Sequence, residues 1–197
     1  MWRSLSHWLG GMGIILLSLA ILPFLGVGGM QLYKAEVPGP VPDKLRPRIK
    51  DTAKTLWKVY LLLSVAEAVL LFAGGMDVFD SICHTFGTMA TGGFSTKNTS
   101  IAYFDRAYID TVITVFMFLA GTNFFLHFQL LRGRPQSFWR DPEFRFFFVV
   151  VFVFITVCTF FVMGINYSDF WSALRYSAFQ IVSIINTTGY STAEYEL

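Results

Sequence analysis

Four long apolar runs constrain this chain more than any other feature of its sequence. They cover residues 8–27, 56–73, 107–131 and 144–163, and an α-helix needs about 20 mostly apolar residues to cross a bilayer. Only 14% of the residues are charged and mean hydropathy is +0.55, whereas a soluble domain carries about 25% charged residues. The sequence therefore predicts an all-α membrane protein with four spanning helices in a lipid bilayer.

Two further apolar stretches are too short to span. Residues 78–90 and 170–185 each follow a spanning run, and each ends in a cluster of threonine and glycine. A helix of about 14 residues reaches about 21 Å, less than the roughly 30 Å of a bilayer core. We therefore expect two re-entrant half-helices that enter the membrane and stop partway, with loops that are buried in protein or line a watery cavity.

The basic residues predict the orientation. Most of them lie in the loops between the first and second runs and between the third and fourth (Lys34, Lys44, Arg46, Arg48, Lys50, Lys54 and Lys58; Arg132, Arg134, Arg140 and Arg145). Cytoplasmic loops carry an excess of Lys and Arg, so both loops are placed in the cytoplasm and both half-helices enter from outside. The net charge is only +2, and most basic residues lie in two loops instead of along one face, which argues against a nucleic-acid partner.

The two Thr/Gly clusters are copies of each other. Thr91-Gly92-Gly93-Phe94-Ser95-Thr96 matches Thr187-Thr188-Gly189-Tyr190-Ser191-Thr192, and the second half-helix is about one turn longer than the first. Such self-similarity indicates a repeated unit of span, half-helix, loop and span. The predicted segments are a closing span of a first repeat (1–36), a cytoplasmic linker (37–55), a complete second repeat (56–131), a second linker (132–143) and a third repeat up to its loop (144–197). The sequence is thus expected to be part of a longer protein.

These loops have the chemistry of a cation filter. Backbone carbonyls replace the water shell of a cation without fixed charge, and glycine permits the dihedral angles that aim successive carbonyls the same way. The C-terminal end of a half-helix adds partial negative charge, and the aromatic residue after the glycine is expected to wedge the loop against its own half-helix. One such tetrapeptide alone indicates a turn, but two copies in equivalent places favour the filter.

Several segments resemble the Trk/Ktr/HKT superfamily of potassium transporters, most closely the bacterial Trk-type uptake proteins. The resemblance rests on Gly10-Gly11-Met12-Gly13 through Gly28-Gly29-Met30-Gln31-Leu32, on residues 90–96, on Gly121-Thr122-Asn123-Phe124-Phe125 and on residues 186–192. In that family, four covalently linked repeats of span, pore loop and span surround one pore, and each repeat supplies one filter strand.

The resemblance implies specific site residues. Thr91, Gly92, Gly93 and Phe94 would form the second filter strand, and Thr187, Thr188, Gly189 and Tyr190 the third, with potassium bound mainly by backbone carbonyls. Potassium would be the transported ion, with no cofactor. It also implies a homodimer, a cytoplasmic nucleotide-binding regulatory subunit and a location in the bacterial inner membrane. Ser95 and Ser191 stand where potassium channels have a second glycine, which implies modest selectivity.

Two other functions remain open at this stage: a secondary carrier with broken-helix binding sites, and a membrane scaffold that does not transport. No Ser/His/Asp or paired-carboxylate arrangement points to an enzyme. Glu67 lies inside the second run and fits either a structural hydrogen bond or the ion path. Asn123 and His127 fit either a pore-side position or hydrogen bonds between helices, and Asp105 is expected to cap the third span.

Overall fold

The computed structural model describes residues 1–13, 48–163, 167 and 169–193. Their helices are α1 (Trp2–Trp8), α2 (Arg48–Ala73), α3 (Val78–Met89), α4 (Ala107–Ala120), α5 (Phe124–Leu131), α6 (Gln136–Arg140), α7 (Pro142–Val162) and α8 (Phe170–Ile185), with a π-helical turn at Leu9–Gly13 and a 3₁₀ turn at Ser100–Phe104. In these ranges, extended backbone pairs only at an isolated bridge between Met163 and Tyr167. The all-α prediction is confirmed. The predicted first span lies mostly outside the described residues.

Two described helices are long and apolar enough to cross a membrane by themselves, Lys54–Ala73 within α2 and Pro142–Val162, which is α7. They match the second and fourth predicted spans, although α2 already begins at Arg48. The surface of α7 is dominated by exposed phenylalanines, with Phe146, Phe152 and Phe161 each more than 60% exposed. Such a surface suits contact with lipid or with another apolar helix.

The third predicted span is not one continuous helix. Helices α4 and α5 meet at an angle of 103°, and only the pair together is long enough to span. At the break, the Leu119 carbonyl accepts the Thr122 amide (3.1 Å), the Thr122 hydroxyl (2.8 Å) and His127 Nε2 (3.0 Å). The Asn123 side chain caps α5 by accepting from the Phe125 amide. These bonds satisfy the backbone groups that a break in an apolar environment would otherwise leave unpaired.

The two short helices end close to where the sequence predicts. Helix α3 has 12 residues and α8 has 16, so the second is one turn longer, as expected. Each begins at an aspartate, Asp77 or Asp169, whose carboxylate accepts a backbone amide of the first turn. An aspartate at this position satisfies a free amide and interacts favourably with the positive end of the helix.

An aromatic core joins α1 to α2 and α3. The Trp8 ring lies 5.3 Å from that of Tyr60 in α2 and 5.1 Å from that of Phe86 in α3, between ring centroids. The Trp8 indole donates to the Ser64 hydroxyl at 2.9 Å, and the Tyr60 hydroxyl donates to the Trp8 carbonyl at 3.1 Å. These contacts place the end of α1 directly beside the half-helix α3.

The predicted cap of the third span is wrong. Helix α4 begins after Arg106, with no side-chain cap, and Asp105 has a left-handed backbone conformation. The Arg106 guanidinium instead donates to the carbonyl of Gly74 at 2.7 Å, which ties the end of α2 to the start of α4.

Candidate functional site

The two Thr/Gly loops, residues 91–96 (the first loop) and 187–192 (the second loop), share one backbone conformation. Thr91 and Thr187 have φ of 50° and 56°, and Gly93 and Gly189 have φ of 62° and 85°. Positive φ is uncommon for residues other than glycine, and for a β-branched threonine it is strained. Its occurrence at equivalent positions of both copies shows that the sequence repeat is also a structural repeat.

The hydrogen bonds that fix each loop to its half-helix are repeated as well. The amides of Gly92 and Gly93 both point at the Gly87 carbonyl, at 2.7 and 3.5 Å. In the second copy, the amides of Thr188 and Gly189 point at the Ser183 carbonyl, at 2.8 and 3.4 Å. Each loop therefore begins at the C-terminal end of its half-helix, where the helix dipole favours a cation.

The structure brings the two loops into contact. A side chain on Gly93 would overlap the Thr188 carbonyl, so these two backbones touch directly. Farther along, the Ser191 carbonyl accepts the amides of Ile101 and Ala102 at 3.1 and 3.3 Å, in the 3₁₀ turn that follows the first loop. The predicted site residues of both loops thus belong to one continuous region.

The two aromatic residues of the loops do not behave as predicted. Tyr190 is completely buried, but it packs against the other copy's half-helix: its hydroxyl donates to the His84 carbonyl in α3 at 3.2 Å and occupies the space beside Gly87. Phe94 is 46% exposed, and the Arg3 guanidinium from α1 lies 4.3 Å from its ring centre. The aromatic residues therefore join different parts of the site instead of bracing their own half-helices.

A polar network fixes the outer end of the first loop to α3. His84 Nδ1 donates to the Asp80 carbonyl at 2.7 Å, so its Nε2 accepts from the Ser95 hydroxyl at 2.9 Å. Asp80 accepts from the Thr96 hydroxyl at 2.8 Å and pairs with the Lys97 ammonium at 3.1 Å. Partial burial raises the pKa of the Asp80 carboxyl, but the bonds from Thr96 and Lys97 outweigh it and lower the pKa below 3.8 overall.

A second ion pair, between Asp110 in α4 and Arg175 in α8, was not identified from the sequence. Arg175 Nε lies 3.6 Å from Asp110 Oδ2, and the aspartate side chain is 6% exposed. The sequence does contain a signal for this pair, because both residues are charged and lie in otherwise apolar helices, where charged residues are rare and usually paired. The pair connects α4 to α8.

Glu67 in α2 is the most deeply buried carboxylate of the described residues. It is 0% exposed, it lies beside Thr88 of α3, and neither of its oxygens has a hydrogen-bond partner of good geometry among those residues. Its contact with Thr88 in a neighbouring helix agrees with the structural hydrogen bond that was one of its two predicted roles. Asn123 and His127, by contrast, form hydrogen bonds that stabilise the break between α4 and α5.

Chemically, the joined loops can bind a cation. The half-buried Gly93 and the exposed Gly189 both lie just after the C-terminal ends of helices. Residues 91–96 and 187–192 contain no carboxylate side chain. Carbonyl oxygens without fixed charge hold a dehydrated monovalent cation while still allowing it to leave. In the part of the chain that the structure describes, no group of three or more His, Cys, Asp and Glu residues could hold a metal ion.

Comparison with known proteins gives one consistent result. The Trk system potassium uptake protein TrkH of Escherichia coli (strain K12) is 52% identical over 194 residues, which cover 97% of this chain and 40% of that protein. TrkH of Vibrio parahaemolyticus is 45% identical over 199 residues, covering 98% of this chain and 41% of that protein. The crystal structure of the potassium transporter TrkH from Vibrio parahaemolyticus superposes with a TM-score of 0.79 at 39% identity, covering 98% of this chain and 39% of that one.

The chain spans about 40% of the length of the curated relatives it matches. The model of a family described as TrkH, cation transport protein, matches residues 1–196. The match extends over the spans, the half-helices and both loops, and the resemblance found in the sequence is confirmed. The chain belongs to the TrkH family of cation transport proteins.

Proposed function

We propose that this chain supplies two strands of the selectivity filter of a potassium uptake protein. Thr91, Gly92, Gly93 and Phe94 form one strand. Thr187, Thr188, Gly189 and Tyr190 form the next. The observation that carries the proposal is the repeated loop backbone, with positive φ at equivalent residues and equivalent amides bound to Gly87 and Ser183. Two loops that share a conformation and touch each other are suited to line one ion path.

The remaining strands would come from repeats outside this chain. Residues 1–36 would close a first repeat, 56–131 would form the second repeat, and 144–197 would form the third up to its filter strand. Residues 37–55 and 132–143 would link them on the cytoplasmic side. Potassium would pass down its electrochemical gradient, without a cofactor and without catalysis.

The proposal includes location and partners. The exposed arginines between α5 and α7, Arg132, Arg134 and Arg140, support a cytoplasmic position for that loop in the bacterial inner membrane. A homodimer and a cytoplasmic nucleotide-binding regulatory subunit are proposed from family resemblance, and the same arginine-rich loop is a suitable surface for the subunit. Copurification of that subunit with the full-length protein, and its loss on replacing the three arginines by glutamine, would support this part.

The filter assignment is tested by Gly189→Ala in the full-length protein. Gly189 has φ of 85° with open space around it, so the added methyl acts through the backbone conformation alone. We expect the loop to relax and the preference for potassium over sodium to fall in flux assays, in cells that lack other potassium uptake. Gly133→Ala is the matched control, because Gly133 also has positive φ (75°) and open space, but lies in the loop after α5. Unchanged selectivity in Gly189→Ala would contradict the assignment.

A further inference from the structure

A polar groove lies beside the last turn of α5 and helix α6, away from the two Thr/Gly loops in sequence. Its volume is about 630 Å³, which is within the range of small-ligand sites, about 300–1,000 Å³. Among the described residues that line it, only Arg134 and Arg140 are charged, and Gln129 and Ser137 add polar groups. The groove therefore carries positive charge and suits an anion.

Hydrogen bonds hold the walls of the groove together. Where the chain turns after α5, the Gly133 amide donates to the Leu130 carbonyl at 2.9 Å, and the Arg134 amide donates to the Gln129 carbonyl at 3.1 Å. The Ser137 hydroxyl of α6 donates to the side-chain oxygen of Gln129 in α5. Because α6 is tied back to α5 in this way, the groove has a defined shape.

The two arginines of the groove have unused positive charge. In the part of the chain that the structure describes, neither guanidinium forms an ion pair; the pairs found there use Lys97 and Arg175. The carboxylate nearest in sequence, that of Asp141, accepts the Phe144 amide at 2.8 Å and caps α7. An anion in the groove would meet two guanidiniums with free donors, and the planar guanidinium matches the oxygens of a phosphate group.

The position of the groove along the chain indicates where the phosphate would come from. Helix α7, which is long and apolar enough to cross a membrane, begins at Pro142, two residues after Arg140. Trp139 is 62% exposed and its ring lies 5.7 Å from that of Phe148 in α7, and tryptophan is enriched at the membrane–water interface. Leu131, at the end of α5, is 60% exposed. The groove thus lies at the level of lipid headgroups, with apolar side chains beside it.

We propose that this groove is a binding site for the headgroup of an anionic phospholipid. Arg134 and Arg140 bind its phosphate, and the acyl chains lie against exposed apolar side chains such as Leu131 and Trp139. A free phosphate offers the same oxygens but gains nothing from the apolar side chains. A zwitterionic lipid brings its own cationic group close to the two arginines, and the repulsion between like charges weakens its binding.

Lipid binding to the full-length protein, purified in detergent without a regulatory subunit and stripped of lipid, tests the proposal. Native mass spectrometry would give apparent dissociation constants for phosphatidylglycerol and for phosphatidylcholine with the same acyl chains. We expect phosphatidylglycerol to bind the wild type at least about tenfold more tightly. Equal binding of the two lipids would overturn the proposal, and this comparison does not depend on whether any variant folds.

The double variant Arg134→Gln/Arg140→Gln locates the site. Its apparent dissociation constant for phosphatidylglycerol should rise at least about tenfold. Arg132→Gln/Arg145→Gln is the matched control, because it removes the same number of charges, but neither arginine lines the groove and Arg132 lies 4.5 Å from the centre of the Phe128 ring. The control should bind phosphatidylglycerol as the wild type does. An equal loss in both double variants would show attraction to the basic surface as a whole and would overturn the groove as the site.

Two other occupants of the groove give different results. Glycerol phosphate has the phosphate but no acyl chains, so it should raise the melting temperature of the wild type less than phosphatidylglycerol does at the same concentration. An equal rise would assign the groove to a soluble phosphate and overturn the lipid. The regulatory subunit is the other alternative: if Arg134→Gln/Arg140→Gln lost the subunit but bound phosphatidylglycerol as the wild type does, the proposal would also be wrong.

Discussion

Single glycines serve two different purposes in this structure. At Gly93 and Gly189 the backbone has positive φ, which any other residue adopts at a cost. At Gly87 and Gly121 the reason is space: the Tyr190 hydroxyl and the Asn186 side chain occupy the places where a Cβ would lie. The first kind was predicted from the Thr/Gly pattern. The second was not, because each neighbour lies more than 60 residues away in sequence.

Gly121→Ala should destabilise the protein. The added methyl overlaps Asn186, whose side-chain amide donates to the Met117 carbonyl at 2.9 Å at the end of α4. Overpacking of this kind costs about 1–3 kcal/mol, so we expect a lower melting temperature in detergent. Gly10→Ala is the control, because nothing lies within 4 Å of a Cβ at that position.

The same clash is isolated by a double-mutant cycle. In an Asn186→Ala background the obstructing side chain is gone, so adding Gly121→Ala should cost less than it does in the wild type. An equal loss of unfolding free energy in both backgrounds would show that the methyl clashes with something other than Asn186.

At the scale of elements, the sequence predicted α8 to the residue and α3 to within one residue, because each is an apolar stretch between an aspartate and a Thr/Gly cluster. The break between α4 and α5 was not predicted, because hydropathy stays high across residues 107–131. Its signal was the polar pair Thr122 and Asn123, together with His127 one turn later. Whether such residues bridge helices or stabilise a break depends on the tertiary structure.

The attachment of the first loop to α3 should depend on pH. The pKa of Asp80 lies below 3.8 in the folded protein, so its pairing with Lys97 stabilises the fold above about pH 4 and this contribution is lost as pH falls through the lowered pKa. We expect the melting temperature to fall on acidification below about pH 4.

Asp80→Asn is the test, since the amide has no charge to lose. The variant should be less stable than the wild type at neutral pH, and its melting temperature should depend less on pH below about pH 4. Asp141→Asn is a matched control on a capping aspartate at the start of α7, outside both loops. If the melting temperature fell equally with pH in the wild type and in Asp80→Asn, this ion pair would not contribute to stability.

At the scale of the whole molecule, the sequence predicted the repeat and both loops but not how the copies fit together. Tyr190 packs on α3, Ser191 binds the 3₁₀ turn, and Arg175 pairs with Asp110 in α4. All three contacts connect the segment from α3 to α4 with the segment from α8 to the second loop. They join residues more than 60 positions apart, which periodicity and local motifs do not report.

The contact between Tyr190 and Gly87 should hold the two loops in register. Gly87→Ala places a methyl where the Tyr190 hydroxyl lies, so the second loop must move and we expect rubidium uptake by the full-length protein to be reduced. Tyr190→Phe removes that hydroxyl and its bond to the His84 carbonyl, worth about 0.5–1.5 kcal/mol, so this variant alone should retain most uptake.

The double variant distinguishes register from simple misfolding. With phenylalanine at position 190, the nearest remaining ring atom is 3.3 Å from the new methyl, a tight contact that a small shift relieves. Uptake by Gly87→Ala should therefore be partly restored when Tyr190→Phe is added, even though two mutations usually destabilise more than one. Such a rescue requires α3 and the second loop to meet at this contact in the working protein. A double variant no more active than Gly87→Ala would show that they do not.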